Sequence, residues 1–298
     1  MPNTHIEHPE DLILTGELSI VDVLYEKGGH VSMKIDGSPS VVWGKHPENG
    51  KFFVCTKSAF NKQKIKICYT AEDVDCYFGS QKKVADILHS MLKYIPRNKF
   101  TSVYQGDWIG YGGTNIFKPN TLTYVFKDVI KKKLVIAPHT IYDVKGKLCD
   151  ASPKPLMEIF EDTENIKWVQ PTVDRVHQQD IEPFSINKDK VAFLSHKKAK
   201  IAKQMINSLI KEGRNISDGY LTDILECPRL ANLYQLIIEI KEDLMGTFIV
   251  NDSPYCYLPT DEQIIGEGFV FYSDSGSIIK LVNRHQFSYA NFNSGRFQ

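Results

Sequence analysis

Lys34-Ile35-Asp36-Gly37 sets an amine and a carboxylate two residues apart on a predicted strand, with glycine next. A two-residue step along a strand returns to the same face, and glycine lets a phosphate or a ribose approach the backbone closely. A lysine attacks only as the free amine, which needs desolvation or neighbouring cations. The same string also fits an exposed strand end running into a turn. Further on, Glu267-Gly268-Phe269-Val270 is followed, 13 residues after Glu267, by Lys280 inside the apolar run Ile278 to Val282. An ammonium among apolar neighbours is costly unless an anion pairs with it. A lysine on the open face of an antiparallel strand is the other reading. Between these sites lie Asp107, within Val103-Tyr104-Gln105-Gly106-Asp107-Trp108-Ile109, and Tyr142-Asp143, within His139 to Val144.

The elements that must position these residues follow from periodicity. Ser19 as N-cap predicts a helix running to Gly28-Gly29, with a strand from His30. Val41-Val42-Trp43 and Phe52-Phe53-Val54, joined across Asn49-Gly50, read as a hairpin. Ser80 can cap a helix from Gln81 to Tyr94. Thr101 to Ile109, Thr121 to Val129 and Leu134 to Tyr142 read as strands. A helix from Asp189 to Glu212 sets Val191, Leu194, Ile201, Met205 and Leu209 on one face and Lys190, Lys197, Lys200 and Lys211 on the other. Another starts with Pro228 at N1 and stops at Gly246. Gly268 to Tyr272 and Ser277 to Val282 form a closing hairpin. The simplest organisation is a β-rich domain of 1–148 and 251–298, interrupted by a mostly helical insertion at 149–250.

Taken in order, these motifs resemble the covalent nucleotidyltransferase superfamily of ATP-dependent RNA and DNA ligases and mRNA capping enzymes. Lys34 to Gly37 matches its K-x-D-G, Gly106-Asp107 its G-E strand with Asp for Glu, Tyr142-Asp143 its aromatic-Asp strand, Glu267 to Val270 its E-G-x-V, and Lys280 its closing lysine strand. The resemblance covers roughly 31 to 146 and 264 to 284. It implies an α+β fold: an antiparallel-sheet ligase adenylation domain with a helical insertion. Only 14 residues follow Arg284, so no C-terminal OB-fold is expected.

The implied activity is ATP-dependent polynucleotide ligation, on RNA ahead of DNA, as in a compact phage-type RNA ligase of the host cytoplasm. Lys34 would be the covalent nucleophile that carries AMP, and Lys280 would neutralise the α-phosphate. Asp36, Gly37, Lys57, Asp107, Tyr142, Glu267 and Lys280 would bind the nucleotide, Tyr142 by stacking on the base. Glu267 and Asp107 would serve Mg²⁺ or the ribose. Three departures stand out: Ile278 and Val282 leave Lys280 as a single closing lysine, with Arg284 as a possible substitute; Ser32 replaces a common acid; and Asp107 is one methylene shorter than Glu. A minimal DNA ligase, capping-type GTP transfer, a protein-adenylylating enzyme and a noncatalytic nucleotide- or nucleic-acid-binding relative are the alternatives.

Lys plus Arg and Asp plus Glu number 36 each, so the formal charge is zero and no global basic field marks a nucleic-acid binder. The neutrality is a cancellation. Residues 51–66 hold five lysines and no acid, and 186–214 hold eight Lys or Arg against two acids. Lys62 and Lys64 in the first stretch and Lys197 and Lys200 in the second are candidate contacts to nucleic-acid phosphates, although each stretch also fits a solvated polar face. Six cysteines without a C-x-x-C spacing read as reduced thiols in a cytosol-like compartment. No apolar stretch reaches membrane-spanning length, and no membrane partner is expected.

Overall fold

The computed structural model describes residues 6–176, 190–216 and 218–296. It is an α+β fold with mainly antiparallel sheets, and the chain divides into two compact units. The first holds Ile35–Pro171 and Asp252–Tyr257; the second holds Ile6–Lys34, Thr172–Asn251 and Leu258–Gln298. These lines differ from the sequence-based division into 1–148 with 251–298 and an inserted 149–250. The reason is pairing. Strand His30–Lys34 is hydrogen-bonded to Gly268–Tyr272, which keeps it with the C-terminal hairpin and apart from Ser40–Lys45, its neighbour in sequence.

The first unit is built on a six-stranded sheet. Phe52–Thr56, Ser40–Lys45, Val103–Tyr111, Leu134–Asp143 and Ser152–Pro155 run antiparallel in that order, and Ile166–Trp168 lies parallel to the start of Leu134–Asp143. Val41, Val42 and Trp43 are all fully buried, so this strand is covered on both faces, as an unbroken apolar run demands. Helices Ala71–Phe78 and Lys82–Tyr94 contribute Val74, Phe78, Leu88 and Met91 to the same core. The first of them was not expected; Thr70 and Asp73 cap it reciprocally. The expected strand over 121–129 is only Thr123–Val125, which joins Ile116–Phe117 and Tyr255–Tyr257.

The second unit holds a three-stranded antiparallel sheet in the order His30–Lys34, Gly268–Tyr272, Ile278–Leu281. Helices Pro9–Ile13, Ser19–Tyr25, His196–Lys211, Asp218–Leu225 and Pro228–Gly246 belong to the same unit, as does the pair Thr172–Arg175 with Phe248–Asn251. Pro228–Gly246 has the expected limits, with proline in its first turn. Ser19 is a helical residue and not the N-cap, and Ser80 is replaced as cap by Gln81.

Helix His196–Lys211 begins later than expected, with Ser195 accepting from the Lys198 amide; residues 177–189 lie outside the described part. Its buried face is also different. Ala199, Ala202, Ile206 and Ile210 face the core, while Ile201 and Met205 are 49% and 48% exposed. Small alanines let the helix approach its neighbours closely, so packing and not summed hydrophobicity sets the rotation.

Candidate active site

Lys34 and Lys280 lie on the three-stranded sheet of the second unit, and Glu267 directly precedes its central strand. Lys34 lies opposite Gly268, and Lys280 lies opposite Val270, which itself faces Ser32. Residues in cross-strand register share a face, so Lys34, Ser32, Val270 and Lys280 project from the same side. Lys34 Nζ donates to Glu267 Oε2 at 2.5 Å, with the Lys34 side chain one-third exposed and Glu267 buried. Gly268 is required for the close pairing with Ile278–Leu281. At φ +142°, a Cβ there would stand 2.2 Å from the Leu281 carbonyl oxygen, a position only glycine tolerates.

Lys280 is partly buried, and its backbone N–H donates to the Glu7 carbonyl at 3.2 Å. Burial pushes its ammonium below the ordinary lysine range. Glu7 and Asp11 pull it back up, while the positive charges of Arg284 and Lys34 lower it further. The two amines therefore sense each other's charge. Arg284, the suggested substitute for a second closing lysine, is 4% exposed and committed elsewhere, which removes it from that role.

The remaining motif residues belong to the first unit, because the chain passes from one unit to the other between Lys34 and Ile35. Asp36 is buried. Its carboxylate accepts from Asn120 Nδ2 at 2.7 Å and from the backbone N–H groups of Thr121 and Leu122 at 2.8 and 3.0 Å, and its own N–H donates to the Tyr124 hydroxyl at 2.6 Å. These partners give Asp36 the work of fixing the 120–124 segment. A Cβ on Gly37 would meet the Asp107 Cβ at 2.6 Å and the Trp108 carbonyl at 2.9 Å, so the glycine is there for backbone contact.

Asp107 sits on Val103–Tyr111, paired with Ser40 on one side and Ala137 on the other. Its Oδ2 is 3.7 Å from His139 Nε2, and His139 Nδ1 is 2.7 Å from Thr140 Oγ1. His139 falls at a register shift between Pro138 and Thr140, an irregularity with no local signal in the sequence. Tyr142 is a core residue, which corrects the expectation of an open stacking face. It is 5% exposed, its ring lies 4.2 Å from that of Phe60, and its hydroxyl donates to Gln105 Oε1 at 2.5 Å. Lys57 is exposed at the start of the turn Lys57–Phe60.

Lys62 and Lys64 are exposed in the loop that follows, whereas Lys66 is tied to the Tyr77 carbonyl at 3.0 Å and covers the Phe78 ring. Lys197 and Lys200 are exposed on helix His196–Lys211. Among the described residues, no three His, Cys, Asp or Glu side chains converge to hold a metal ion, and no helix is long and apolar enough to cross a membrane.

One feature of the second unit has no precursor in the motif reading. Glu10, Asp11, Tyr234, Lys241 and Arg284 are all buried together. Lys241 Nζ donates to Glu10 Oε1 at 2.8 Å, and Arg284 Nη1 donates to Tyr234 Oη at 2.8 Å and to Asp11 Oδ1 at 3.2 Å. Arg284 Nη2 donates to Asn207 Oδ1 at 2.7 Å. A lysine in Ile-Glu-Ile-Lys-Glu on an apolar helix face was the available signal.

A model of a family of unknown function (DUF6267) matches residues 3–225 and 221–296. The chain belongs to DUF6267. No curated protein and no solved structure matches it. What this DUF6267 chain does must therefore be reasoned from its own side chains.

Proposed function

We propose that the protein is an ATP-dependent polynucleotide ligase, acting on RNA ahead of DNA, with Lys34 as covalent nucleophile. The supporting observations are the contact of Lys34 with Glu267, 233 residues away in the chain, and the register that sets Lys34 and Lys280 on one sheet face. The Lys34 amine attacks the α-phosphorus of ATP, an N–P bond forms, the bond to the bridging oxygen breaks, and pyrophosphate leaves. Glu267, already hydrogen-bonded to Lys34 Nζ, is positioned to take the proton that the ammonium must lose. Lys280, on the same sheet face as Lys34, offers positive charge to the phosphate. The AMP then passes to a 5′-phosphate, and a 3′-hydroxyl displaces it.

Mg²⁺ would enter with the nucleotide. The protein's own carboxylates do not build a metal centre among the described residues, and Mg²⁺ is commonly held by one or two carboxylates plus substrate phosphates. No step above is assigned to it. A noncatalytic nucleotide- or nucleic-acid-binding relative is the second reading, favoured by the burial of Tyr142 and by the occupied carboxylate of Asp36.

Labelled ATP with Mg²⁺ separates the two readings. Ligase chemistry leaves α-phosphate label on the chain through denaturing electrophoresis, stable to alkali and released by acid as a phosphoramidate is, and Lys34→Ala abolishes it. GTP in place of ATP tests the capping-type alternative. Absence of label from the folded wild-type protein with either nucleotide sinks the enzyme reading. Transfer to 5′-phosphorylated RNA or to nicked DNA then chooses the substrate.

A further inference from the structure

Strand Tyr255–Tyr257 carries rings that the candidate active site does not use. It pairs with Thr123–Val125, which pairs with Ile116–Phe117, all within the first unit. The registers set Tyr255, Val125 and Ile116 in one row and Tyr257 beside Thr123. Phe117, Tyr124 and Cys256 form the inner face, at 4%, 1% and 1% exposure. On the outer face Ile116 and Tyr255 are 55% and 58% exposed. Phe126, whose ring is 5.5 Å from that of Phe117, continues the inner face. Lys118 directly follows Ile116–Phe117, Lys127 lies two residues beyond Thr123–Val125, and both are exposed. The stretch 114–133 carries five lysines against one aspartate.

We propose that this sheet face binds single-stranded nucleic acid, with bases stacked on Tyr255 and Tyr257 and phosphates neutralised by Lys118 and Lys127. Two rings one strand step of two residues apart stand about 7 Å from each other, room for one base on each. Stacking on tyrosine accepts any base and requires bases that are free of a duplex. Lysine is depleted at protein–protein interfaces, so an exposed Tyr255 and a half-buried Tyr257 with exposed lysines near them fit a polyanion better than a protein surface. Binding here needs no transfer chemistry at Lys34, so the two proposals are measured apart.

The test is fluorescence anisotropy of the full chain with labelled oligo(U) RNA, oligo(dT) and a blunt RNA duplex, at about 50 mM salt where phosphate contacts are strong. Both single strands should bind, and the duplex at least tenfold more weakly. Tyr255→Ala and Tyr257→Ala should each weaken single-strand binding about tenfold, while the corresponding Phe variants keep it. Lys118→Gln with Lys127→Gln should flatten the slope of log K against log salt by about 1.4.

Far-UV circular dichroism verifies that each variant is folded. The lysine pair decides the matter if a tyrosine variant is not. Unchanged affinity in the alanine variants, equal binding of the duplex, or loss of binding in Lys197→Gln with Lys200→Gln but not in the tyrosine variants would overturn the proposal. Intact oligonucleotide binding without covalent labelling would sink the ligase reading alone; labelling without tyrosine-dependent binding would sink this one alone.

Discussion

Lys280 shows how a side chain can be recognised by what it costs. Burial holds its ammonium below the lysine range despite the pull of Glu7 and Asp11, so the unfolded chain binds that proton more tightly than the folded one. Wherever the unfolded state holds more protons, stability rises with pH. Between the depressed folded value and the ordinary value near 10.5, Lys280 therefore becomes less destabilising as pH increases. Lys280→Met should raise the melting temperature at neutral pH, with the gain over wild type shrinking as pH approaches 10.5. The same variant should lose covalent labelling if Lys280 serves the phosphate. Thermal melts followed by circular dichroism from pH 6 to 10.5 check the first outcome; a variant less stable than wild type throughout would make Lys280 a structural residue. Asp36 is the opposite case. Its spacing from Lys34 suggested a ligand contact, yet its carboxylate is taken up by Asn120, Thr121 and Leu122, which lie more than 80 residues along the chain and left no local trace in the sequence.

Elements whose signal is local were legible; those whose existence depends on distant partners were not. The apolar run at Val41 to Trp43, the turn before Phe52 and the proline-started helix Pro228–Gly246 are all where short-range chemistry sets them. Strands of three or four residues, such as Thr172–Arg175 and Tyr255–Tyr257, exist through pairing across long sequence separations, and no window of residues announces them. The face of helix His196–Lys211 was misread because alanines, weak on any hydrophobicity scale, carry its buried side. Within the site, the closing hairpin that holds Lys280 was readable from its turn, but the pairing of His30–Lys34 with Gly268–Tyr272, and the reason for Gly268, were not. With φ at +142° and the Leu281 carbonyl oxygen 2.2 Å from where a Cβ would stand, Gly268→Ala forces the two strands apart. We expect a loss of about 3 kcal/mol in urea unfolding, in the range of strain plus broken pairing. Covalent labelling should fall with it, since Glu267 precedes this residue. A variant of wild-type stability would show that the hairpin yields without cost.

At the scale of the molecule, zero net charge conceals a deliberate sorting: basic stretches lie at the surface, while a few charges are buried where they join the chain to itself. The second unit is assembled from three separate stretches of sequence, and its buried ionic cluster draws on each: Glu10 and Asp11 from the first, Tyr234 and Lys241 from the second, Arg284 from the third. Hydrophobic contacts alone tolerate sliding, whereas a buried charge has one low-energy position, so such a cluster fixes how the stretches align. Burial pushes the Glu10 carboxyl upward, but Lys241 and Arg284 outweigh it and hold it below the ordinary value; burial leaves Asp11 raised. Glu10 thus contributes stability that is present above its unfolded value and is lost as pH falls through its folded one. Asp11 acts in the contrary sense, gaining its proton earlier in the folded state. Removing either partner of the Glu10–Lys241 pair leaves a buried charge with too little compensation, so Lys241→Met and Glu10→Met should each cost about 3–5 kcal/mol at neutral pH. The double variant should cost less than the sum of the two, because no orphaned charge remains. The gap between wild type and Lys241→Met should also close in acid, since protonated Glu10 no longer compensates the lysine in the wild type. Urea unfolding followed at 222 nm, at neutral pH and near pH 3, measures both effects; additive single costs, or a gap independent of pH, would mean that apolar packing and not the ion pair aligns these stretches.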